Sequence, residues 1–270
     1  YSMYWTGDMD NYGIKKDTLV AFHLLLKAAE GGEGQAQHIL GTHYGNGTGV
    51  CPRHEDWAAY WYRRAAASGD LDGHEAVKRM IESSVCCKAK GDDAYDAGNM
   101  KEAIHQYGQA LAKAVGNSYL MKVLLASKSS AHLLLDQSHS GARLAEQLST
   151  FCVRLDPKWP EGYCRKGFAL LAQDCFEEAE KVFQEGKRLD PTYALVKLGM
   201  KCAKQRQGGR LAQGMPRPKA PVDLSRHLKE RPDPESLEIM RDYIVFEHRD
   251  DAYFDNLTVL AAAAIISQLT

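Results

Sequence analysis

The sequence lacks a large net charge, has few prolines over most of its length and contains no long apolar run. Its 34 basic and 35 acidic residues leave a formal net charge of −1, so no whole-protein field favours nucleic acid or an anionic membrane. Only Pro52 precedes Pro157, so the first half of the chain has few obligatory helix breakers. No run of about 18 apolar residues occurs. No signal peptide opens the chain. Because the chain begins with Tyr1 and not with Met, a fragment of a longer protein is one interpretation.

The cysteines form neither a metal-binding nor a disulfide pattern. The seven of them lie at positions 51, 86, 87, 152, 164, 175 and 202. No two C-x-x-C pairs follow one another, which argues against structural zinc, and the odd number argues against a disulfide framework. We expect buried free thiols in a reducing compartment, and therefore a cytoplasmic protein.

Catalytic motifs are also missing. The glycines at 45, 47 and 49 are not followed by the Lys-Ser or Lys-Thr that a phosphate loop requires. No two histidines are four residues apart, as a zinc pair on one helix would need. The sequence therefore predicts no catalytic residue, no cofactor and no metal site within this chain.

An internal repeat is present instead. The segment at 27–33 recurs at 64–70, an offset of 37 residues: Lys27-Ala28-Ala29-Glu30-Gly31-Gly32-Glu33 and Arg64-Ala65-Ala66-Ala67-Ser68-Gly69-Asp70. Small residues allow close helix approach, and glycine permits positive φ in the turn. The offset predicts that Ala28 and Ala65 occupy equivalent, buried helix positions.

The N-terminal region resembles the Sel-one-like repeat (SLR). The residues that carry the resemblance are Ala36, Gln37, Leu40, Gly41, Tyr44, Gly47, Gly49 and Val50, followed by Ala58, Trp61, Tyr62, Arg63, Arg64, Ala65 and Ala66. One complete unit is expected at 34–70, the later part of a unit before it, and a first helix at 71–84. The resemblance implies an α-solenoid whose concave face binds proteins.

A second repeat register begins near residue 88 and resembles the tetratricopeptide repeat (TPR). It is carried by Gly91, Ala94, Tyr95, Gly98, Ala103, Tyr107, Ala110 and Leu111, and again by Gly162, Tyr163, Lys166, Gly167, Phe176, Ala179, Phe183, Gly186 and Leu189-Asp190-Pro191. A degenerate copy at 119–157 is about four residues too long for a 34-residue unit, which indicates lengthened helices or a longer loop at Asp136–Ser140. A helix at 193–206 is expected to cap the stack, and the rings of Tyr107, Phe176 and Phe183 are expected to pack inside it.

Part of the TPR-like region resembles the subgroup that binds acidic chaperone C-termini through a carboxylate clamp. In that subgroup Lys, Asn and Arg side chains make charge-assisted hydrogen bonds to peptide carboxylates. Lys88 and Arg165 match the basic residues of the clamp. Asp92 stands where Asn is expected, Ser127 replaces a second Asn, and Glu161 reverses the charge of a Lys.

These departures predict a degraded clamp. Two acids in the groove would repel an incoming carboxylate, so binding of this kind should be badly weakened. Lys128 would compensate only if it faces the groove. The candidate peptide-binding residues are therefore Lys88, Asp92, Ser127, Lys128, Glu161 and Arg165; solvated helix residues remain the alternative interpretation of Lys88 and Arg165.

The C-terminal region changes in composition. Residues 207–234 are rich in proline and basic residues and predict a linker; without interleaved aromatics it is not expected to bind nucleic acid. Residues 235–270 predict two helices, and the stretch 257–269 is too apolar to be left exposed. It should pack on the solenoid, on a second copy of the chain or on a further domain. Docking on the solenoid would occupy groove space and so regulate ligand access.

The expected architecture is all-α: an SLR segment at 1–84, a TPR segment with a capping helix at 85–206, the linker at 207–234 and C-terminal helices at 235–270. The leading hypothesis is a protein–protein interaction adaptor that presents a solenoid groove to a protein or peptide. One alternative is a chaperone cofactor that binds acidic C-terminal peptides, such as that of a heat-shock chaperone. The other is the recruitment arm of a larger enzyme whose catalytic domain lies outside this chain.

Overall fold

The computed structural model describes residues 18–47, 51–114, 117–136, 138–205 and 234–247. Within these ranges all regular secondary structure is helical, and successive helices pack side by side as an α-solenoid. The helices are α1 (Thr18–Glu30), α2 (Gly34–Asn46), α3 (Glu55–Ala67), α4 (Leu71–Asp96), α5 (Met100–Ala114), α6 (Ser118–Leu135), α7 (His139–Leu155), α8 (Pro160–Leu171), α9 (Phe176–Leu189), α10 (Ala194–Lys204) and α11 (Pro234–Glu247). None of these helices is long and apolar enough to cross a membrane.

The turns after α1 and α3 repeat one geometry at an offset of 37 residues. Gly32 and Gly69 both have positive φ, at 92° and 88°, which favours glycine at these two positions. Glu33 and Asp70 then cap the next helix, each accepting a hydrogen bond from the amide three residues later. The repeat in the sequence is therefore a repeat in the backbone.

Ala28 and Ala65 are structurally equivalent. The carbonyl of Ala28 accepts from the amide of Glu33, and the carbonyl of Ala65 accepts from the amide of Asp70. Ala65 is fully buried, whereas Ala28 is only partly buried and packs at the border of the core. The positions correspond as predicted, but the burial is complete only in the second copy.

The SLR-like and TPR-like regions share a helix. Helix α4 runs for 26 residues without interruption and contains the predicted boundary between 84 and 85. The Ser84 hydroxyl donates to the carbonyl of Ala110 at 2.7 Å, and the ring of Tyr107 packs directly on Gly91. A helix of this length spans about 39 Å. The two regions are therefore joined by a continuous helix, with no linker between them.

The degenerate middle unit is long because its helices are long. Helix α6 has 18 residues and α7 has 17, with only a short turn between Leu135 and His139. Asp136 stabilises this turn by accepting from the Ser138 amide at 2.9 Å. The longer loop at Asp136–Ser140, offered as the alternative, was wrong.

The TPR-like core is organised around two fully buried rings, Tyr107 and Phe183. Phe183 lies so close to Gly167 and Gly199 that neither position has room for a Cβ atom. Phe176, predicted to join this set, is only partly buried at the start of α9. Helix α10 packs on α8 and α9 as the capping helix.

Helix α11 returns to the repeats and packs on α3 and α7. Its buried residues are Ile239, Tyr243 and Ile244. Residues 207–233 of the predicted linker and the apolar stretch 257–269 lie outside the described residues, and Pro234, predicted to end the linker, begins α11.

Candidate peptide-binding site

The six candidate residues lie on the first helix of three consecutive helix pairs. Helix α4 carries Lys88 and Asp92, α6 carries Ser127 and Lys128, and α8 carries Glu161 and Arg165. These first helices occupy corresponding places in successive units, and α6 packs on α8. All of the candidates except Asp92 are buried.

Lys88 and Asp92 form an ion pair one helical turn apart. The Lys88 ammonium lies 2.6 Å from Asp92 Oδ2, and the side chains are only 8% and 14% exposed. The Tyr107 hydroxyl donates to the other carboxylate oxygen of Asp92 at 2.9 Å. Asp92, predicted to repel a ligand, here neutralises the lysine that would bind one.

Arg165 and Glu161 form a second pair of the same spacing. Arg165 Nε donates to Glu161 Oε1 at 2.6 Å, and one terminal nitrogen contacts the same oxygen. The other terminal nitrogen donates to Ser130 Oγ at 2.9 Å. Arg165 is 1% exposed, so the guanidinium is held in the interior by a carboxylate and a hydroxyl.

Ser130 was missed by sequence reasoning. Its hydroxyl donates to the carbonyl of Ala126 at 2.9 Å, which leaves an oxygen lone pair to accept from Arg165. A signal existed, because Ser130 lies three residues after Ser127 and therefore on the same face of α6. Ser127 itself donates back to the carbonyl of Val123 at 3.0 Å, so the donor expected for a ligand is used by the backbone.

Lys128 is paired with a residue far away in the sequence. Its ammonium contacts Glu247 at the end of α11. Arg154 of α7 pairs with Asp242 of α11 at 2.7 Å, and the Phe151 ring meets Tyr243 edge-on at 5.7 Å. Helix α11 thus holds Lys128 through an acidic residue of the chain itself.

Burial and the Lys128 charge of this contact lower the pKa of His132. Burial, and then the nearby Lys128, lower the pKa of His132 to about 4, while Glu247 and Asp136 oppose the shift. His132 is therefore neutral near pH 7. Glu247 of α11 is therefore one of the groups that influence this pKa.

Nothing in the described ranges forms a group of three or more His, Cys, Asp or Glu residues that could hold a metal ion. The cysteines are free thiols. Burial raises the pKa of the Cys152 and Cys164 thiols, so both stay protonated at neutral pH. These two side chains pack as small apolar groups.

Comparison with known proteins finds Sel1 repeats in this chain and similarity to TPR-containing proteins. Residues 1–33 and 34–70 match the Sel1 repeat family, and these segments lie within the predicted SLR region. The Hsp70-Hsp90 organizing protein of Triticum aestivum is 34% identical over 118 residues, which is 44% of this chain and 19% of that protein. The small glutamine-rich tetratricopeptide repeat-containing protein 2 of Mycosarcoma maydis is 29% identical over 118 residues, 44% of this chain and 31% of its own length. The chain thus spans less than a third of either relative.

Among solved structures, the TPR domain of Arabidopsis OM64 is 25% identical. The match covers 47% of this chain and 98% of that domain, with a TM-score of 0.42. The chain is an all-α protein with Sel1 repeats in its N-terminal part and similarity to TPR proteins.

Proposed function

We propose that this Sel1- and TPR-type repeat chain is an adaptor that binds a segment of another protein and does not itself catalyse a reaction. The proposal is supported by the uninterrupted stack of helix pairs, which exposes an extended surface. It is supported as well by relatives whose names describe organising and TPR-containing proteins. If the chain belongs to a longer protein with a catalytic domain, the same surface would serve as its recruitment arm.

The observation that carries the proposal is the row of buried cations on α4, α6 and α8. Lys88, Lys128 and Arg165 are each less than 7% exposed, and each contacts a carboxylate of the chain itself. Buried ion pairs contribute little net stability compared with apolar residues of the same size. Because these cations, at the clamp-like positions, are already paired within the chain, the groove fits a partner that brings no terminal carboxylate.

A chaperone cofactor is the second candidate, favoured by the name of the wheat relative. A terminal carboxylate could reach Lys88 or Arg165 only by displacing Asp92 or Glu161. Displacement leaves a carboxylate without its cation in a largely buried place, which is costly. An acidic chaperone tail is therefore expected to bind weakly, and a partner without a terminal carboxylate is favoured.

The deciding experiment titrates the chain with a labelled peptide ending Glu-Glu-Val-Asp, followed by fluorescence anisotropy. We expect wild-type binding weaker than about 100 μM, because the cations are already paired. The variant Asp92→Asn/Glu161→Lys should bind at least about tenfold more tightly, since it restores the residues typical of the clamp. Circular dichroism verifies that the variant is folded.

Two results would change the conclusion. Micromolar binding by the wild type, abolished by Arg165→Ala but not by Lys187→Ala at an exposed position of α9, would establish the chaperone-cofactor alternative. Failure to capture any protein partner, together with turnover of a small molecule by the purified chain, would exclude the adaptor.

A further inference from the structure

We propose that a cleft where the Sel1-type and TPR-type regions meet binds an acidic side chain of a partner peptide. The cleft, called the junction pocket below, is formed by α2, α3, α4 and α5 and has a volume of about 320 Å³. The inference rests on the proposed adaptor function and adds to it the place and the chemistry of the ligand. It concerns none of the six clamp-like positions.

The charge of the junction pocket is unbalanced. Arg53, Arg79 and Lys113 line it together with a single carboxylate, that of Glu55. Arg79 is exposed, and its Nε makes only a long contact of 3.5 Å to the carbonyl of Glu75. No carboxylate among the described residues forms an ion pair with Arg79. Three cations around one anion favour an acidic ligand.

Two of these cations already hold a carboxylate. One oxygen of Glu55 lies 3.0 Å from Arg53 Nη2, and the other lies 3.4 Å from the Lys113 ammonium. The side chain of Glu55 is 37% exposed and Arg53 is 69% exposed, so this arrangement is open to solvent. Glu55 therefore shows, within the chain, how a partner's Glu or Asp would be bound. Because it is exposed, it can be displaced or supplemented at small cost.

The rest of the lining favours a peptide over a nucleic acid. Ala58 and Met80 give the pocket an apolar wall beside its cations. Tyr62 is the only aromatic ring in the lining, and its hydroxyl lies 3.3 Å from that of Thr42. Single-stranded nucleic acid needs successive rings on which bases stack. An acidic residue next to an apolar one matches this surface better.

The probe for the test is a fluorescein-labelled peptide Glu-Glu-Leu-Glu-Glu whose C-terminus is amidated. Without a terminal carboxylate it cannot use a clamp, so its binding is separable from that of the Glu-Glu-Val-Asp peptide. Anisotropy is measured on the full chain at low and at physiological salt. The variant Arg79→Glu/Lys113→Glu should lose at least about tenfold in affinity, because two attractive charges become repulsive.

The control is Lys187→Glu, a single charge reversal at an exposed position of α9. It should leave affinity within about twofold, since distant surface charges are screened.

Glu55→Gln should strengthen binding about threefold, because it removes the competing carboxylate. A gain of this kind cannot come from misfolding. Thermal melting confirms that the double variant is folded, and the single variant Arg79→Gln replaces it otherwise.

Absence of probe binding by the wild type at 1 mM peptide, about the weakest affinity worth assigning to a site, would overturn the junction pocket. Equal losses in the double variant and in Lys187→Glu would overturn it too, because they would indicate a general charge effect. In both cases the adaptor proposal would still be tested by the capture of a protein partner. Failure of partner capture with intact probe binding would overturn the adaptor proposal and leave the junction pocket as a binding site for acidic peptides.

Discussion

The cations Lys88, Lys128 and Arg165 on α4, α6 and α8, called the clamp-like face below, have the same chemistry as those of the junction pocket but are more deeply buried. Arg165 and Glu161 have side chains that are 1% and 8% exposed, whereas Arg53 and Glu55 are 69% and 37% exposed. On the clamp-like face each cation has its own carboxylate. In the junction pocket Arg53 and Lys113 share Glu55, and Arg79 pairs with no carboxylate among the described residues. Burial therefore decides whether a basic residue holds the fold together or remains available to a ligand.

This comparison changes the meaning of a binding motif. Lys88 and Arg165 fit the clamp pattern as residue types, but Asp92 and Glu161 lie within ion-pairing distance on the same helices. The motif specifies where the cations stand along the helices. It does not specify whether these cations pair with a carboxylate of the chain itself or with one of a ligand.

The largest expected effect is the loss of stability in Glu161→Gln. The substitution leaves Arg165 charged and buried without its carboxylate, which should cost about 3–5 kcal/mol. Urea unfolding followed by circular dichroism measures the change. The control is Glu185→Gln, which breaks a pair with Arg188 whose side chains are 53% and 73% exposed, and should cost less than about 1 kcal/mol.

A similar small loss in both variants would break the comparison. It would mean that Arg165 finds water or another partner when Glu161 is neutralised. The clamp-like face would then be as available to ligands as the junction pocket.

The next effect concerns α11, which covers Lys128. Ile244 is fully buried, so Ile244→Ala should destabilise the docked helix by about 2–3 kcal/mol. The cost stays in the lower part of the usual range because α11 can undock while the repeats remain folded. Hydrogen exchange should become faster in 239–247, and the exposed Val245→Ala should leave it unchanged.

Undocking also tests the clamp-like face. With Glu247 removed from Lys128, the peptide ending Glu-Glu-Val-Asp should bind more tightly to Ile244→Ala than to the wild type. Faster exchange without any gain in peptide binding would show that Lys128 does not face the ligand.

The long-range part of this site could not be predicted from the sequence. Lys128 and Glu247 are 119 positions apart, and Arg165 and Ser130 are 35 apart, so only the packing of the repeats brings them together. The pairs Lys88–Asp92 and Glu161–Arg165, in contrast, have the i,i+4 spacing that places side chains on one helix face. They could have been identified as ion pairs from the sequence.

The fold was easier to predict from the sequence than the site, because each repeat follows from the local spacing of residues. Alanine and glycine positions gave the 37-residue unit, and ring positions gave the buried Tyr107 and Phe183. The shared helix α4 was less evident, although the sequence has no Pro or Gly between Gly73 and Gly91 that would end it. Repeat boundaries were inferred from motifs, while the helix follows from the absence of breakers.

A pH effect provides a third test of burial. The folded-state pKa of His132, about 4, lies below the ordinary value of 6.5, so between these values only the unfolded chain binds the proton. Its contribution is fully present above pH 6.5 and is lost as pH falls, at up to about 1.4 kcal/mol per pH unit. The difference in unfolding free energy between the wild type and His132→Gln should show this slope from pH 6.5 towards pH 4. A parallel pair of curves would show that His132 is solvated.

The smallest expected effect is that of Glu55→Gln, the same substitution as Glu161→Gln made in the junction pocket. Glu55 contacts Arg53 at 3.0 Å and Lys113 at 3.4 Å, but its partners have access to water, and salt screens the attraction. The free energy of unfolding should change by less than about 1 kcal/mol. Urea unfolding in low and physiological salt measures it beside Glu161→Gln. A loss above about 2 kcal/mol would place Glu55 with the buried pairs, because exposed pairs do not contribute so much, and the cations of the junction pocket would then be committed to the fold.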